Sequence, residues 1–236
     1  MSSPRDEPPV PPWSKRRPRD SGRPRLSRDA IVDAALGVLD AAGYDGLNMR
    51  AVADALGTGP ASLYAHVSGK EELFGLMVDR VAGEMVVPDP DPERWQEQVK
   101  DFVRAIYRNF LAHPGLARAN LGTIPTGPGA VAAMDRFLGL LIAGGLPERV
   151  IAYAADILPL YATAYAFEQS VFAERMTEEE GAEYVRQIHD YFAALPADRF
   201  PHITSMAGAL TRDDPQPEAR FEFGLEMLVT GLAAQR

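Results

Sequence analysis

Thr58, Ser62, Tyr64 and His66 fall within nine residues of one another, and Lys70 lies just beyond. Two hydroxyls, a phenol, an imidazole and an ammonium in that order can hydrogen-bond anionic oxygens and the edges of heterocycles. Each also has an ordinary structural reading: Thr58 caps a helix, Tyr64 packs, His66 ends a helix. Those readings account for one residue apiece, whereas a short helix presented to a polyanion accounts for the set.

Catalytic arrangements are missing by comparison. The chain contains no G-x-S-x-G elbow, no H-E-x-x-H and no P-loop, and His66, His113, His189 and His202 are widely separated. With no cysteine there is no thiolate metal site, no disulfide and no cysteine nucleophile. Gly127 to Ala132 fits the loose dinucleotide pattern G-x-G-x-x-A, but no apolar strand precedes it, which leaves a Pro/Gly helix start. Neither an enzyme, nor a metal, nor a cofactor is expected.

The elements that must hold the polar set are helices. Ser27 is a good N-cap for a first helix over 28–42, with Ile31, Ala35, Val38, Leu39 and Ala42 on one face and Gly43 as its stop. Asn48 caps a second over 49–56, Gly57-Thr58-Gly59 break the chain, and Pro60 suits the first turn of a third over 60–66. Ser68 and Glu71 match a capping box, so a fourth helix is predicted over 69–86. Three closely spaced helices with a glycine-containing turn form a helix-turn-helix arrangement, a periodicity that any small helical hairpin shares.

Charge divides along the same line. Residues 1–80 hold 11 Lys and Arg against 11 Asp and Glu, and residues 81–236 hold 13 against 22, so the whole net charge of −9 lies in the later part. Residues 14–28 carry Lys15, Arg16, Arg17, Arg19, Arg23, Arg25 and Arg28 against Asp20 alone. Seven prolines precede Leu26, so residues 1–26 are expected to be a basic, disordered arm, either a solvated tail or a contact for a polyanion. No uninterrupted run of 18 apolar residues and no secretory leader is visible, so a cytoplasmic protein with no membrane partner is expected.

With these residues in place, 27–80 resembles the DNA-binding domain of TetR-family transcriptional regulators. The likeness fixes the turn, both helices and the cap of helix four together. It implies that Arg50, Ser62, Tyr64 and His66 contact bases and backbone of a double-stranded operator, and that Lys70 pairs with a phosphate. Thr58, Gly59 and Pro60 complete the candidate DNA-binding set; Gly59 and Pro60 stand where the family's tetracycline-repressor-like branch has longer polar side chains, so the operator sequence does not carry across. The remainder resembles that branch too, and the position of its magnesium-ligating histidine corresponds to Asn120, a poorer inner-sphere ligand. Magnesium–tetracycline is therefore not the expected effector.

Read from the residues, the later part is all helical, over 93–112, 114–120, 128–143, 147–175, 177–194, 198–210 and 217–235, with Pro159 predicting a kink. The expected organisation is an arm (1–26), a helix-turn-helix head (27–72) and a ligand-binding and dimerisation body (73–236), all-α throughout. Met85, Phe102, Ile106, Met134, Leu138, Tyr161 and Tyr165 are candidates for an apolar cavity lining, with Asn120, Thr123 and Glu168 as polar anchors for a small, mostly apolar effector. Each is also a plausible core residue, and Glu168 could instead pair with Arg118. Ile151, Leu158, Phe221, Leu225, Leu228 and Leu232 form stripes that serve either an intrachain core or a homodimer, and the family resemblance favours the dimer. A ligand-responsive regulator, most simply a repressor released from a palindromic operator, is expected; a helical carrier or interaction module with an idle head is the alternative.

Overall fold

The structure, a computed structural model, describes residues 26–113, 115–211 and 218–236, and their regular structure is entirely helical. The helices are α1 Arg28–Gly46, α2 Met49–Ala55, α3 Pro60–Leu63, α4 Lys70–Gly83, α5 Trp95–Ala112 and α6 Leu116–Asn120. They continue as α7 Pro128–Ala143, α8 Glu148–Arg175, α9 Glu178–Ala193, α10 Pro201–Leu210 and α11 Ala219–Ala233. The basic arm lies outside the described residues, Leu26 apart.

Local chemistry sets the first boundaries. The Ser27 hydroxyl accepts from the Ala30 N–H at 3.1 Å and the Asn48 amide oxygen from the Ala51 N–H at 2.9 Å, each satisfying a donor that a helix start leaves orphaned. Gly43 adopts φ 69, a left-handed conformation that a side chain resists, so regular helix stops where expected and one further turn carries the chain to Gly46. The start of α4 differs from the prediction by one residue. Gly69 is its N-cap, so Glu72 and not Glu71 occupies the third helical position, and Glu72 accepts from the Ser68 N–H at 2.6 Å and hydroxyl at 2.7 Å.

Helix four joins two packing units. Near its start it packs on α1 through Leu73 and Met77, buried with Ile31, Ala35 and Leu39; its later part packs on α7. Arg80 donates to Asp29 and Asp33 at 2.6 Å each, tying α4 to α1. In the body, α5 and α8 pack along one another, and Trp95, Phe137, Leu140, Leu141 and Phe221 are fully buried. Burial of each such side chain stabilises by about 1.5–3 kcal/mol. Helix α8 is long and apolar enough by composition to cross a membrane, yet Ala154, Leu158, Ala162 and Ala166 bury one of its faces against the body.

Three of the six residues expected along a homodimer stripe serve the intrachain core instead. Leu158, Phe221 and Leu225 are buried inside the monomer, and Ile151, Leu228 and Leu232 are partly buried against the same core. Two ion-pair rungs roll α11 this way: Lys100 meets Glu226 at 2.8 Å, and Arg104 meets Glu222 at 2.8 Å. The opposite side of α8 and α11 carries exposed Tyr153, Ile157, Phe223 (70% exposed) and Met227 (60%).

A candidate nucleic-acid face and a cavity joined by one helix

The α2–α3 unit is held from beneath by Leu47, Val52, Ala53, Leu63 and Val67, all buried. This leaves Arg50, Gly59, Pro60 and Ser62 exposed, Tyr64 54% exposed, and Thr58 and His66 half-buried. Helix three is one turn, not the expected seven residues. The Leu63 carbonyl accepts from both the His66 N–H at 2.9 Å and the Val67 N–H at 3.0 Å, and that turn returns Val67 to the core. Arg50 makes only a loose, exposed pair with Asp54 at 4.0 Å, which leaves its guanidinium available.

Two groups show their roles only in three dimensions. Arg28 donates to the His66 carbonyl at 3.1 Å and pairs with Glu72 at 3.2 Å, so α1 clamps the turn after helix three. Hydrogen bonds from Ser68, with Arg28 alongside, hold the Glu72 carboxyl below its usual range. Lys70 is already engaged: its ammonium donates to the Tyr44 carbonyl at 3.2 Å and sits 4.8 Å from the Tyr44 ring centroid and 5.5 Å from that of Phe74. A phosphate would have to share this donor. The clamp has no sequence signature, because Arg28 lies 38 residues from His66 and 44 from Glu72.

Beyond the head, a cavity of about 710 Å³ opens between α4, α5, α7 and α8. Of the proposed lining, Met85, Phe102, Ile106, Asn120, Thr123, Met134 and Leu138 come together around it. Val78, Val81 and Ala82 of α4, Asn109 of α5, Asp135 of α7 and Asp156 and Thr163 of α8 join them, none of which was expected in a cavity lining. A polar residue on an otherwise apolar helical face, such as Asn109 or Asp156, was the only available signal.

Tyr161, Tyr165 and Glu168 are corrected: none lines the cavity. Helix eight turns Ala155, Asp156, Pro159 and Thr163 toward it, and Tyr161 and Tyr165 stand two residues on from Pro159 and Thr163, about 200° round the helix. The Tyr161 hydroxyl donates to the Phe221 carbonyl at 2.9 Å, its ring stacks on Phe221 at 5.3 Å, and burial, with Tyr165 near by, pushes its pKa up to about 12. Tyr165 meets the edges of Tyr107 and Phe221, and Glu168 faces solvent.

Asn120 is different in kind. Its side-chain oxygen is buried with no hydrogen-bond partner among the described residues. Such an atom costs about 1–3 kcal/mol until something donates to it.

Three joints connect cavity to head. The Asp79 carboxylate of α4 accepts from the Ala130 N–H of α7 at 2.8 Å, capping α7 from another helix. Beside it Gly129 packs backbone to backbone on Gly83, so closely that a Cβ on Gly129 would lie 3.0 Å from the Gly83 Cα. The glycines of the discarded dinucleotide pattern thus serve close helix packing. On α6, Arg118 lies 4.2 Å from the Tyr44 ring centroid and 3.6 Å from Asp45, two residues before Asn120; His113 meets Asp40 at 2.9 Å.

Comparison with known proteins matches both ends of the chain. The family described as bacterial regulatory proteins, tetR family, matches residues 31–77, and the tetracyclin repressor-like C-terminal domain matches 87–236. The chain is 34% identical to the HTH-type transcriptional repressor DrrR1 of Streptomyces coeruleorubidus, over 92% of this chain and 81% of that one. It is similar to the crystal structure of Streptomyces coelicolor ActR in complex with actinorhodin, with 45% identity, 89% of this chain and 96% of that one covered, and a TM-score of 0.82. The same protein in complex with (S)-DNPA gives 43% identity, 89% and 98% coverage, and a TM-score of 0.80.

Proposed function

The chain belongs to the TetR family and is a ligand-responsive transcriptional repressor that binds operator DNA as a homodimer, and from that premise we propose how its two ends communicate. The head, residues 27–72, reads the operator through Arg50, Thr58, Ser62, Tyr64 and His66. Gly59 and Pro60 bring the backbone close to the duplex, and one Lys70 N–H is shared with a phosphate. A single turn of helix buries too little for tight binding, so two copies must reach half-sites about 34–36 Å apart or a multiple of that. Dimerisation uses the exposed side of α8 and α11, where Tyr153, Ile157, Phe223 and Met227 offer an apolar face. The protein works in the cytoplasm, where the operator lies.

The body, residues 73–236, takes a small, mostly apolar effector. One observation carries this reading: the cavity of about 710 Å³ is walled in part by α4 itself, the helix that Arg80 fastens to α1. That volume lies in the usual range for ligand sites. The similar ActR, solved in complex with actinorhodin and with (S)-DNPA, supports a small-molecule effector. Helix four has 14 residues and so spans roughly 21 Å at 1.5 Å per residue. A ligand that displaces α7 pulls on the Asp79 cap and the Gly83–Gly129 contact, tilts α4, and changes the spacing of the paired heads. Coupling of this kind is typically ~1–3 kcal/mol and reciprocal. Calorimetry of operator binding with and without actinorhodin as the probe tests it: an equal loss of affinity in both directions is expected, and operator affinity indifferent to a bound probe would remove the switch.

A further inference from the structure

We infer that this chain selects its operator half-sites by their thymine methyl groups, through Ala61 and Ala65 at the crest of helix three. The assignment rests on the operator-reading role of the head proposed above, and it names the feature of the base pairs that the head selects.

The crest follows from the side that is buried. Leu63 and Val67 face the core of the head, and the Val67 N–H donates to the Leu63 carbonyl at 3.0 Å, so helical spacing persists for a turn beyond Leu63. Ala61 and Ala65 stand two residues to either side of Leu63, which places both about 200° round the helix from it. Both are exposed. They point directly away from the core, with Pro60 and Tyr64 on one flank and Ser62 and His66 on the other. The hydrogen-bonding side chains of this turn therefore lie along its sides, and its foremost atoms are two methyl carbons.

An apolar crest discriminates among bases. In the major groove guanine presents N7 and O6, adenine N7 and an amino group, and cytosine an amino group; thymine alone presents a methyl group, beside its O4. An alanine methyl pressed against a polar edge displaces water and returns no hydrogen bond, which is a cost. Pressed against the thymine methyl, it removes two apolar surfaces from water, which is a gain. Both effects favour the same base. The residues just before the crest do not offset this, because Gly59 has no side chain and Pro60 has neither an N–H nor a polar side-chain atom. Four residues apart, the two alanines are separated by ~6 Å along the helix axis, so the thymines they touch fall within about two base-pair steps of ~3.4 Å.

The test starts by selecting a preferred duplex from a random-sequence library with the full-length dimer. Each thymine of the selected half-site is then replaced by uracil, which removes the methyl group and leaves the pairing edge intact. One or two positions per half-site should respond, each by about fourfold in affinity, the factor that one buried methylene contributes, and by about fifteenfold when both half-sites are changed. Cytosine at such a position should bind weakly, and 5-methylcytosine should recover about fourfold per half-site. The double variant Ala61→Gly, Ala65→Gly should bind thymine and uracil duplexes alike. The uracil series uses the native protein, so it decides the matter even where that variant does not fold. A half-site without thymine, affinity indifferent to uracil at every position, or a uracil penalty undiminished in the folded double variant overturns the inference and leaves operator reading in place. A library that yields no preferred duplex removes the operator reading itself.

Discussion

The polar side chains that clamp the head's turn are paired with one another, whereas several that face the cavity are left open. Around helix three, Arg28, Glu72, Ser68 and the His66 carbonyl form a closed set, and Arg80 is held by two carboxylates. Around the cavity, among the described residues, Asn120 keeps a buried oxygen without a partner, and no ion pair engages Asp135 or Asp156. A surface that must fit a rigid duplex gains from a frame with no spare valence, because freedom lost on binding costs affinity. A site that must answer a diffusing molecule keeps its unsatisfied groups for that molecule. The helix shared by both regions is rigidly tied to the first and forms a wall of the second.

The largest effect that can break this division is loss of the pairing of heads. Phe223→Glu together with Met227→Glu places two charges on the exposed face of α11 and should yield folded monomers by sedimentation, with operator affinity down by roughly a hundredfold or more, since each monomer keeps one short reading helix. A dimer in that variant would move the interface elsewhere. Next comes Tyr64→Ala, which should weaken operator binding by about 1–3 kcal/mol in gel-shift titrations while probe binding in the cavity stays as it was. Operator affinity unchanged in this variant would mean that Tyr64 does not touch DNA.

Smaller changes sharpen the comparison at the joints. Asp79→Ala removes the cap that α4 provides to α7 and should cost about 1 kcal/mol of stability, as cap losses do. More tellingly, it should reduce the release of operator by a bound probe, and Asp79→Asn, which keeps an acceptor oxygen, should restore much of it. Full release in Asp79→Ala would place the transmission elsewhere, for instance at Arg118 over Tyr44. The smallest effect is at Glu72. Its folded pKa lies below the ordinary 4.5, so its stabilisation is present above 4.5 and is lost as pH falls through the lowered folded value. Glu72→Gln should lower the melting temperature slightly at neutral pH and abolish that acid-side loss; parallel melting curves for both proteins through the acid range would mean that the clamp does not depend on the carboxylate's charge.

Much of the head was legible in the chain, because its determinants are local. Ser27, Asn48, Gly43 and the periodicity of Ile31, Ala35 and Leu39 act within one or two helical turns, and such signals survive in a linear string. The one-residue slip from Glu71 to Glu72 shows the resolution of that reading: a capping box is recognised by spacing, and a glycine that takes the N-cap shifts the spacing by one. In the body, helix positions were equally readable, but faces were not. Tyr161 and Tyr165 have the composition of a ligand wall and lie in the core; Asp156 and Thr163, on the same helix, face the cavity.

By itself the sequence determined an all-helical chain, a basic beginning, an acidic body and a turn that exposes Ser62 and Tyr64. Those properties depend on residue type and near neighbours. Only the tertiary structure decided which side of α8 and α11 is core, that Lys100 and Arg104 roll α11 inward through Glu226 and Glu222, that Asp79 caps a helix 51 residues away, and that the Asn120 oxygen is stranded. Each of these depends on which helical faces converge, and convergence is fixed by packing over the whole chain.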